Sequence, residues 1–254
     1  MIDPQAAAQF DQDGFVVIAD FFDAAEMGSL RAGLDRFVTE IAPRVDLGHV
    51  MYEDPADPAS LKQADCLRLE PALDRWRWNG KVRELAESLI GPVAPQQCEY
   101  FSKPAHNNKP TPPHQDGYYF CLKPNVACTV WIPLDMVDHE NGALSYVRGS
   151  HQLGVLPHRA TETVGFSQGL IPDPGSLGET VLCAGTPGTV MVHHSLTVHS
   201  AGANTSRRPR RSIAYVFFSA SAEIDEEARS RYMAALQAQR ESKGIAHNPA
   251  AVVV

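Results

Sequence analysis

The chain has 254 residues, of which 44% are hydrophobic and 20% charged, and its formal net charge at pH 7 is -8. This acidic balance gives no general attraction to phosphate backbones, and no apolar run reaches the roughly 18 to 20 residues of a membrane-spanning helix, so neither nucleic acid nor a membrane is an expected partner. The five cysteines are scattered without a C-x-x-C pair and the N-terminus lacks a signal-peptide pattern, so we expect reduced thiols and a cytoplasmic location.

Two helices are predicted in the first part of the chain. Asp23 and Glu26 form a capping box, and the apolar residues after it recur every three or four positions until Pro43. A shorter helix with the same periodicity is predicted over 82–89. The turn-rich segment 43–69 between them shows little periodicity, and we expect it to be a loop or lid.

The hydrophobic period then changes to two. Residues 126–132 alternate between apolar and other side chains, and later β-rich runs are separated by Gly, Pro and Asn turns, at 180–182, 189–192 and 213–218. A final helix over about 224–242 begins with an acidic turn, which suits the helix dipole. This pattern predicts a mainly β protein with flanking helices, in which a β-sandwich or barrel follows a helical flank.

His114 and Asp116 are the first candidate functional residues. On a strand, residues i and i+2 face the same side, so the two side chains would converge on one point inside a barrel. With a second histidine they would form the two-histidine, one-carboxylate set that holds Fe(II) and leaves coordination positions open. The H-x-D pattern alone is weak, because it arises often by chance and on this evidence a structural role for His114 in a loop is the better explanation.

Further motifs occur in a recognisable order along most of the chain: 10–18, 111–116, 130–134, 140–144, 148–151, and the spacing His194-x4-His199-x10-Arg210. Together they resemble the phytanoyl-CoA dioxygenase-like Fe(II)/2-oxoglutarate-dependent oxygenases, a family that includes ectoine hydroxylase. The resemblance implies a double-stranded β-helix (jelly-roll, cupin-like) core. It implies a single dioxygenase domain over 1–254, with a helical flank at about 1–94, the core at about 95–220 and the C-terminal helix after it.

The same resemblance assigns residues to the reaction. It implies that His114, Asp116 and His199 are the iron ligands and catalytic residues. Arg210 would pair with the distal carboxylate of 2-oxoglutarate, and a guanidinium suits that role because it is always charged and matches a carboxylate with two hydrogen bonds. Strand alternation alone leaves Arg211 as an alternative, and the spacing implied by the family selects Arg210.

Further cavity residues follow from the resemblance and from position. Trp131 and Lys103 are implied as cosubstrate-binding residues, although core packing and a solvated strand end would also explain them. Tyr118 and Tyr119 directly follow Asp116, so we consider them candidates for the substrate-binding wall.

Three residues near the distal histidine need separate interpretation. His194 stands where the family also carries a histidine, and we interpret it as structural or as a support for the site. His193 is not expected to be a ligand, because the chain should bend between it and His199. Ala201 stands where family members often have a serine that helps hold the cosubstrate carboxylate, which would weaken cosubstrate binding.

These observations predict an Fe(II)- and 2-oxoglutarate-dependent dioxygenase that uses O2, hydroxylates an unactivated carbon of a small-molecule metabolite, and releases succinate and CO2. Asp116 favours hydroxylation or desaturation over halogenation, since related halogenases have a small residue there. Two alternatives stay open: a metal-binding jelly-roll module without catalysis, and a cupin-type isomerase or hydrolase that uses no 2-oxoglutarate. Arg210 argues against the cupin-type alternative, because a dicarboxylate is what gives it a function.

Overall fold

The computed structural model describes residues 3–54, 56–107, 109–161 and 167–242. Its α-helices are α1 (Pro4–Asp13), α2 (Ala24–Arg36), α3 (Pro71–Trp78), α4 (Lys81–Ile90), α5 (Asp116–Phe120) and α6 (Glu226–Ser242). Its strands are β1 (Phe15–Ile18), β2 (Val50–Tyr52), β3 (Leu61–Ala64), β4 (Val93–Lys103), β5 (Thr111–His114), β6 (Leu122–Lys123), β7 (Ala127–Pro133), β8 (Leu144–Val147), β9 (His158–Ala160), β10 (Gln168–Leu170), β11 (Thr180–Cys183), β12 (Val190–His194), β13 (His199–Ala201), β14 (Arg210–Ser219) and β15 (Glu223–Ile224).

Two antiparallel sheets form the centre of the fold. The large sheet has seven strands in the order β1-β12-β7-β14-β4-β3-β2, and the small sheet has four in the order β11-β8-β13-β5. The pairs β9-β10 and β6-β15 form separate two-stranded ribbons. This is the predicted mainly β fold, a jelly-roll core with flanking helices. Within the described ranges, no helix combines the length and the apolar character needed to cross a bilayer.

Strand β7 is buried along its whole length because both of its faces are covered. Cys128, Val130 and Ile132 point to one side, where they share a hydrophobic core with residues of α2, α3 and α4. Thr129 and Trp131 point to the other side, toward the small sheet, and line a cavity. The period of two in the sequence therefore separates a helix-covered face from a cavity face, and the functional side chains lie on the cavity face.

The predicted start of helix α2 is confirmed at atomic detail. The Asp23 carboxylate accepts the Glu26 N–H at 2.8 Å, and the Glu26 carboxylate accepts the Asp23 N–H at 2.9 Å, which completes the capping box at α2. The helix then passes through a π-helical turn over Phe37–Ile41 before the proline. Helix α4 ends at Gly91, whose φ of +76° is in the left-handed region that favours glycine.

Two boundaries differ from the prediction. The segment 43–69 is not only a loop, because it contains β2 and β3, which extend the large sheet beyond β4. With β1, the flank at 1–94 thus contributes three strands to that sheet. At the C-terminal side, Ile224 belongs to β15 and α6 begins at Glu226. The Asp225 carboxylate accepts the N–H groups of the next turn and so sets this later start.

Candidate metal centre

His114, Asp116 and His199 meet at one point of the cavity. Each offers one ligand atom, and the three atoms lie within 4.8 Å of one another. Asp116 Oδ1 is 3.5 Å from Nε2 of His114 and 3.5 Å from Nε2 of His199. The two histidines face each other across the β5-β13 pair of the small sheet. The structure therefore brings together the three residues that the sequence predicted as a set.

The path by which Asp116 reaches this point differs from the strand that was predicted. Strand β5 ends at His114, and Asp116 is the first residue of the short helix α5. Between them, the Gln115 side chain is fully buried and donates to the carbonyls of Gly154 and Leu196 at 2.9 and 2.7 Å. The backbone of Gln115 is still extended, with φ -118° and ψ 128°, so the side chains of His114 and Asp116 face the same side as predicted, although Asp116 itself begins a helix.

Both histidines are prepared to bind a metal through Nε2. The Nδ1 atom of His114 is 2.8 Å from the Pro112 carbonyl, and that of His199 is 3.0 Å from the Thr197 carbonyl. A ring nitrogen at this distance from a carbonyl donates its proton, so Nε2 keeps its lone pair. Burial, with His114 nearby, lowers the pKa of His199 well below its usual range and favours the neutral ring that a metal requires.

The second carboxylate oxygen of Asp116 is held by side chains that the sequence did not single out. Thr129 Oγ1 donates to Oδ2 at 2.8 Å, and His193 Nε2 donates to the same atom at 3.1 Å. The Tyr146 hydroxyl in turn donates to His193 Nδ1 at 3.1 Å. Burial opposes ionisation of Asp116, but the neighbouring His199 and the hydrogen bond from His193 hold its pKa well below the usual range. Asp116 is thus an anion with Oδ1 directed toward His114 and His199.

The adjacent residues His193 and His194 have opposite environments because they alternate along β12. His193 lines the cavity. His194 points to the other side, where its Nδ1 accepts the Leu196 N–H at 3.1 Å, as expected of a structural histidine. The expected bend does not keep His193 away from the site, since it contacts a carboxylate of the candidate metal set. His193 lies two positions after Met191 on β12 and so faces the same side of the strand. This alternation was the sequence signal that could have placed His193 at the cavity.

The cavity extends from this centre along the inner face of the large sheet and encloses about 870 Å³, including its open mouth. Inward-facing residues of β4, β7 and β14 form much of its wall: Glu99, Phe101, Lys103, Thr129, Trp131, Arg210 and Ala214. Two basic residues, Lys62 and Lys109, also line it.

Arg210 is buried in this wall, with 4% of its surface exposed. Its guanidinium lies 5.4 Å from the centroid of the Trp131 ring, and Nη1 donates to Ser212 Oγ at 3.2 Å. Its Nε has no hydrogen-bond partner among the described residues. Burial lowers the pKa of Arg210 to about 10, so the group is still cationic at neutral pH. An unsatisfied buried guanidinium N–H fits the carboxylate of an oxoacid.

Arg211, the alternative to Arg210, lies on the other face of β14. Its Nε and Nη2 donate to the two oxygens of Asp135 at 3.1 and 2.9 Å. Lys103 lies opposite Arg210 in the β4-β14 register and donates to backbone carbonyls, including that of Gly202 at 2.6 Å. Burial, with Arg210 nearby, lowers the pKa of Lys103 to about 7. The cavity therefore carries two buried basic groups side by side, of which Arg210 is cationic at neutral pH, and they suit the far end of a dicarboxylate.

Tyr118 and Tyr119 are not among the residues that line the cavity. The strand expected after Asp116 is the helix α5, and the two rings pack with Cys121 and with Tyr232 of α6. The Tyr119 hydroxyl donates to the Gln168 carbonyl, and its ring meets the His114 ring edge-on with centroids 5.9 Å apart. Tyr119 thus supports His114 from behind, whereas Glu99 and Thr129, to which the sequence assigned no role, face the cavity.

Comparison with known proteins agrees with this geometry. The sequence model of the phytanoyl-CoA dioxygenase (PhyH) family matches residues 10–212. Peroxisomal phytanoyl-CoA dioxygenase of Bos taurus is 25% identical over 241 residues, which cover 87% of this chain and 70% of the relative. The epimerase SnoN, solved with Fe3+, alpha ketoglutarate and nogalamycin RO, is 27% identical with a TM-score of 0.69, over 87% of this chain and 84% of SnoN.

A second solved structure shows a likeness of fold alone. EctD from S. alaskensis, solved with 2-oxoglutarate and 5-hydroxyectoine, has a TM-score of 0.71 at 22% identity, over 87% of this chain and 77% of EctD. The PhyH match contains all three candidate metal-binding residues and Arg210. The resemblance noted in the sequence is confirmed, and the chain belongs to the phytanoyl-CoA dioxygenase (PhyH) family.

Proposed function

We propose that this protein is an Fe(II)- and 2-oxoglutarate-dependent dioxygenase that hydroxylates an unactivated carbon of a small-molecule metabolite, with release of succinate and CO2. One observation carries the proposal: a single cavity contains the His114–Asp116–His199 set and the buried Arg210, whose Nε has no partner among the described residues. A buried cation with an unsatisfied N–H is costly, and a dicarboxylate cosubstrate removes that cost.

Each residue has a defined task in this proposal. His114 and His199 would hold iron through Nε2 and Asp116 through Oδ1, which leaves coordination positions for a bidentate oxoacid and O2. Iron with 2-oxoglutarate and O2 supplies the oxidising power for a C–H bond. Arg210, beside Lys103, would fix the distal carboxylate, and Trp131 would wall the cosubstrate.

Hydroxylation or desaturation is preferred to halogenation because Asp116 supplies the carboxylate that a bound halide would replace. SnoN is described as an epimerase, so the product must be analysed directly. Hydroxylation adds one oxygen atom to the substrate, desaturation removes two hydrogens, and epimerisation leaves the mass unchanged.

Turnover of 2-oxoglutarate tests the proposal. Protein purified without oxygen and then supplied with Fe(II), 2-oxoglutarate and O2 should form succinate slowly, and faster with the right member of a panel of candidate metabolites. Arg210→Ala should raise the 2-oxoglutarate concentration needed, whereas Arg211→Ala, on the opposite face of β14, serves as the control. Iron-loaded protein that forms no succinate would contradict the proposal and favour the metal-binding module or the cupin-type enzyme.

We also propose that the chain acts as a single domain in the cytoplasm. All five cysteines are unpaired and buried, which supports a reducing compartment. The net charge of -8 supports a small-molecule substrate rather than nucleic acid as the partner.

A further inference from the structure

Glu99 is an acidic residue of the cavity to which the proposed mechanism gives no task. It lies on β4 opposite Ala214 of β14, and Ala214 lies opposite Trp131 of β7. All three line the cavity. Because the side chain of Ala214 ends at Cβ, it does not fill the space between the Trp131 ring and the Glu99 carboxyl. No described residue donates a hydrogen bond to this carboxyl or forms an ion pair with it.

The other charged residues of the wall already have partners. Lys62 and Lys109 form ion pairs with Glu53 at 3.5 and 3.4 Å. Lys103 donates to backbone carbonyls, and the Asp116 carboxylate accepts from Thr129 and His193. Arg210 is assigned to the cosubstrate. Glu99 is therefore the charged wall residue that neither the described protein nor the cosubstrate satisfies.

The position of Glu99 places it away from the anion-binding end. Along the backbone of β4, the Cα atom of Lys103, which lies opposite Arg210, is four residues from that of Glu99, about 13 Å at the usual rise of a strand. A carboxylate close to a dicarboxylate would repel it, so this separation is consistent with a cosubstrate at the Arg210 end. Glu99 instead faces the part of the cavity left for the substrate, near enough to Asp116 for the two carboxyl groups to interact.

The energetics of this carboxyl favour a cationic partner. Burial raises the pKa of Glu99 to about 8, and Asp116 and Asp65 add to the rise. A carboxylate without a partner in such a place is unfavourable, and a positive charge within about 4 to 6 Å reverses that effect. An entering ammonium or guanidinium group would supply this charge.

We propose that Glu99 binds a cationic nitrogen of the substrate, so that the substrate class is a small metabolite carrying an ammonium or guanidinium group. The inference rests on the proposed function, because it takes the cavity beside the metal centre as the substrate site. Glu99 thereby selects amine-bearing molecules against neutral or anionic ones of the same size.

Binding of a charged and a neutral probe of equal length tests this proposal. The full-length, metal-free protein is titrated with n-butylammonium and with n-butanol and followed by saturation-transfer NMR, at a pH one unit above the pKa of Glu99. Wild type should bind the ammonium ion about tenfold more tightly than the alcohol, as expected of a hydrogen bond to a charged group. Glu99→Gln should lose this preference, because glutamine keeps the shape and the hydrogen-bonding capacity but not the charge.

The control removes the same charge elsewhere. Glu84→Gln alters an exposed residue of α4 that does not line the cavity, and it should keep the wild-type preference. Equal binding of the two probes by wild type, or a preference that persists in Glu99→Gln, overturns the proposal. A folded state equal to that of wild type is verified by circular dichroism.

The two proposals can fail separately. Binding of 2-oxoglutarate with Zn(II) in place of iron is measured by calorimetry on the same preparations. If 2-oxoglutarate binds and the ammonium preference is absent, only the substrate-class proposal fails. If the ammonium preference depends on Glu99 but 2-oxoglutarate does not bind, the proposed reaction fails and the cation site stands.

Discussion

At the scale of single residues, the Asp116 carboxylate depends on two neighbours that are not themselves members of the metal set. Thr129 and His193 both donate to Oδ2, and Tyr146 holds His193 from behind. These hydrogen bonds keep Oδ1 directed toward the candidate metal position. Partners of this kind orient a ligand and tune its basicity, and losing one typically costs about 10- to 100-fold in metal affinity.

His193→Phe should therefore weaken binding of Fe(II) or Co(II) by about 10- to 100-fold, while the protein stays folded. Anaerobic metal titration measures the effect. The neighbouring His194→Phe is the matched control, because His194 lies on the opposite face of β12 and should affect metal affinity little. Equal metal affinity in wild type and His193→Phe would show that the contact with Asp116 has no positioning role.

A substitution at Ala201 should strengthen ligand binding rather than weaken it. This buried residue lines the cavity beside Lys103, and a serine there would add one hydroxyl for the cosubstrate carboxylate. A neutral hydrogen bond is worth about 0.5 to 1.5 kcal/mol, so Ala201→Ser should lower the Kd for 2-oxoglutarate by up to about tenfold. Calorimetry of the Zn(II)-loaded protein measures this. An unchanged Kd would mean that the position does not reach the cosubstrate.

Glu99 should also make the free energy of unfolding fall as the pH rises. Its pKa is about 8 in the fold against an ordinary value of 4.5, so between these pH values the unfolded chain loses a proton that the native chain keeps. The free energy of unfolding contributed by this group falls as the pH rises from 4.5 to 8. Glu99→Gln should thus raise the Tm of the metal-free protein at pH 8, and by much less at pH 4.5. A difference in Tm that does not vary with pH would contradict the assignment.

At the scale of elements, sequence patterns predict long periodic segments better than short ones. The capping box and the apolar stripe predicted α2, the period of two predicted β7, and the β-rich run at 213–218 predicted β14. Helix α5 has five residues and β2 has three, too few to show a period, so both were missed. The convergence of His114 and Asp116 follows from the extended backbone at Gln115, as predicted, but the strand expected to continue through Asp116 ends at His114.

Along a correctly predicted strand, alternation places adjacent residues on opposite faces of the sheet. In β14, Arg210 faces the cavity and Arg211 faces Asp135; the spacing implied by the family resemblance selected Arg210, but alternation alone could not tell which is which. The same holds for His193 and His194 in β12. Two adjacent residues of a strand always face opposite sides of the sheet. Only the packing of the helices shows which of these sides faces the hydrophobic core.

The turn that carries Gly142 is an element on which the anion-binding end depends. Its φ is +84°, and a Cβ there would lie 2.6 Å from the Gly202 carbonyl oxygen and 3.0 Å from Lys103 Cδ. That carbonyl accepts a hydrogen bond from Lys103. Gly142→Ala should therefore disturb Lys103 and raise the Kd for 2-oxoglutarate, in addition to a strain of roughly 1 to 2 kcal/mol.

Gly91→Ala is the matched control, because Gly91 has a φ of +76° and no atom within 4 Å of the added Cβ. Both substitutions should lower the Tm by a few degrees, about 2 to 4 °C for each kcal/mol. Thermal unfolding with calorimetry of 2-oxoglutarate measures both effects. Gly91→Ala should keep the wild-type affinity for 2-oxoglutarate. If Gly142→Ala kept it as well, the turn would have no part in positioning Lys103.

At the scale of the whole molecule, the site belongs to neither sheet alone. The small sheet contributes His114 and His199, and the large sheet contributes Lys103 and Arg210. The candidate site therefore exists only when the two sheets pack with the cavity between them. A cosubstrate bound to the metal and to Arg210 would join the two sheets.

Because the site is shared between two sheets, the sequence could predict only part of the complete molecule. The order and spacing of motifs predicted the family, the fold and the members of the metal set, because these are local patterns. Thr129 and Glu99 could not be assigned, since their importance depends on contacts with residues distant in the chain, whereas alternation along β12 was a signal for His193. The single domain over 1–254 stays a prediction.

A crystal structure of the protein with Fe(II) and 2-oxoglutarate, prepared without oxygen, tests the central claim most directly. We expect one iron bound to His114 Nε2, Asp116 Oδ1 and His199 Nε2, with 2-oxoglutarate chelating the metal and its distal carboxylate on Arg210. A metal bound elsewhere, or a 2-oxoglutarate that does not contact Arg210, would contradict the account.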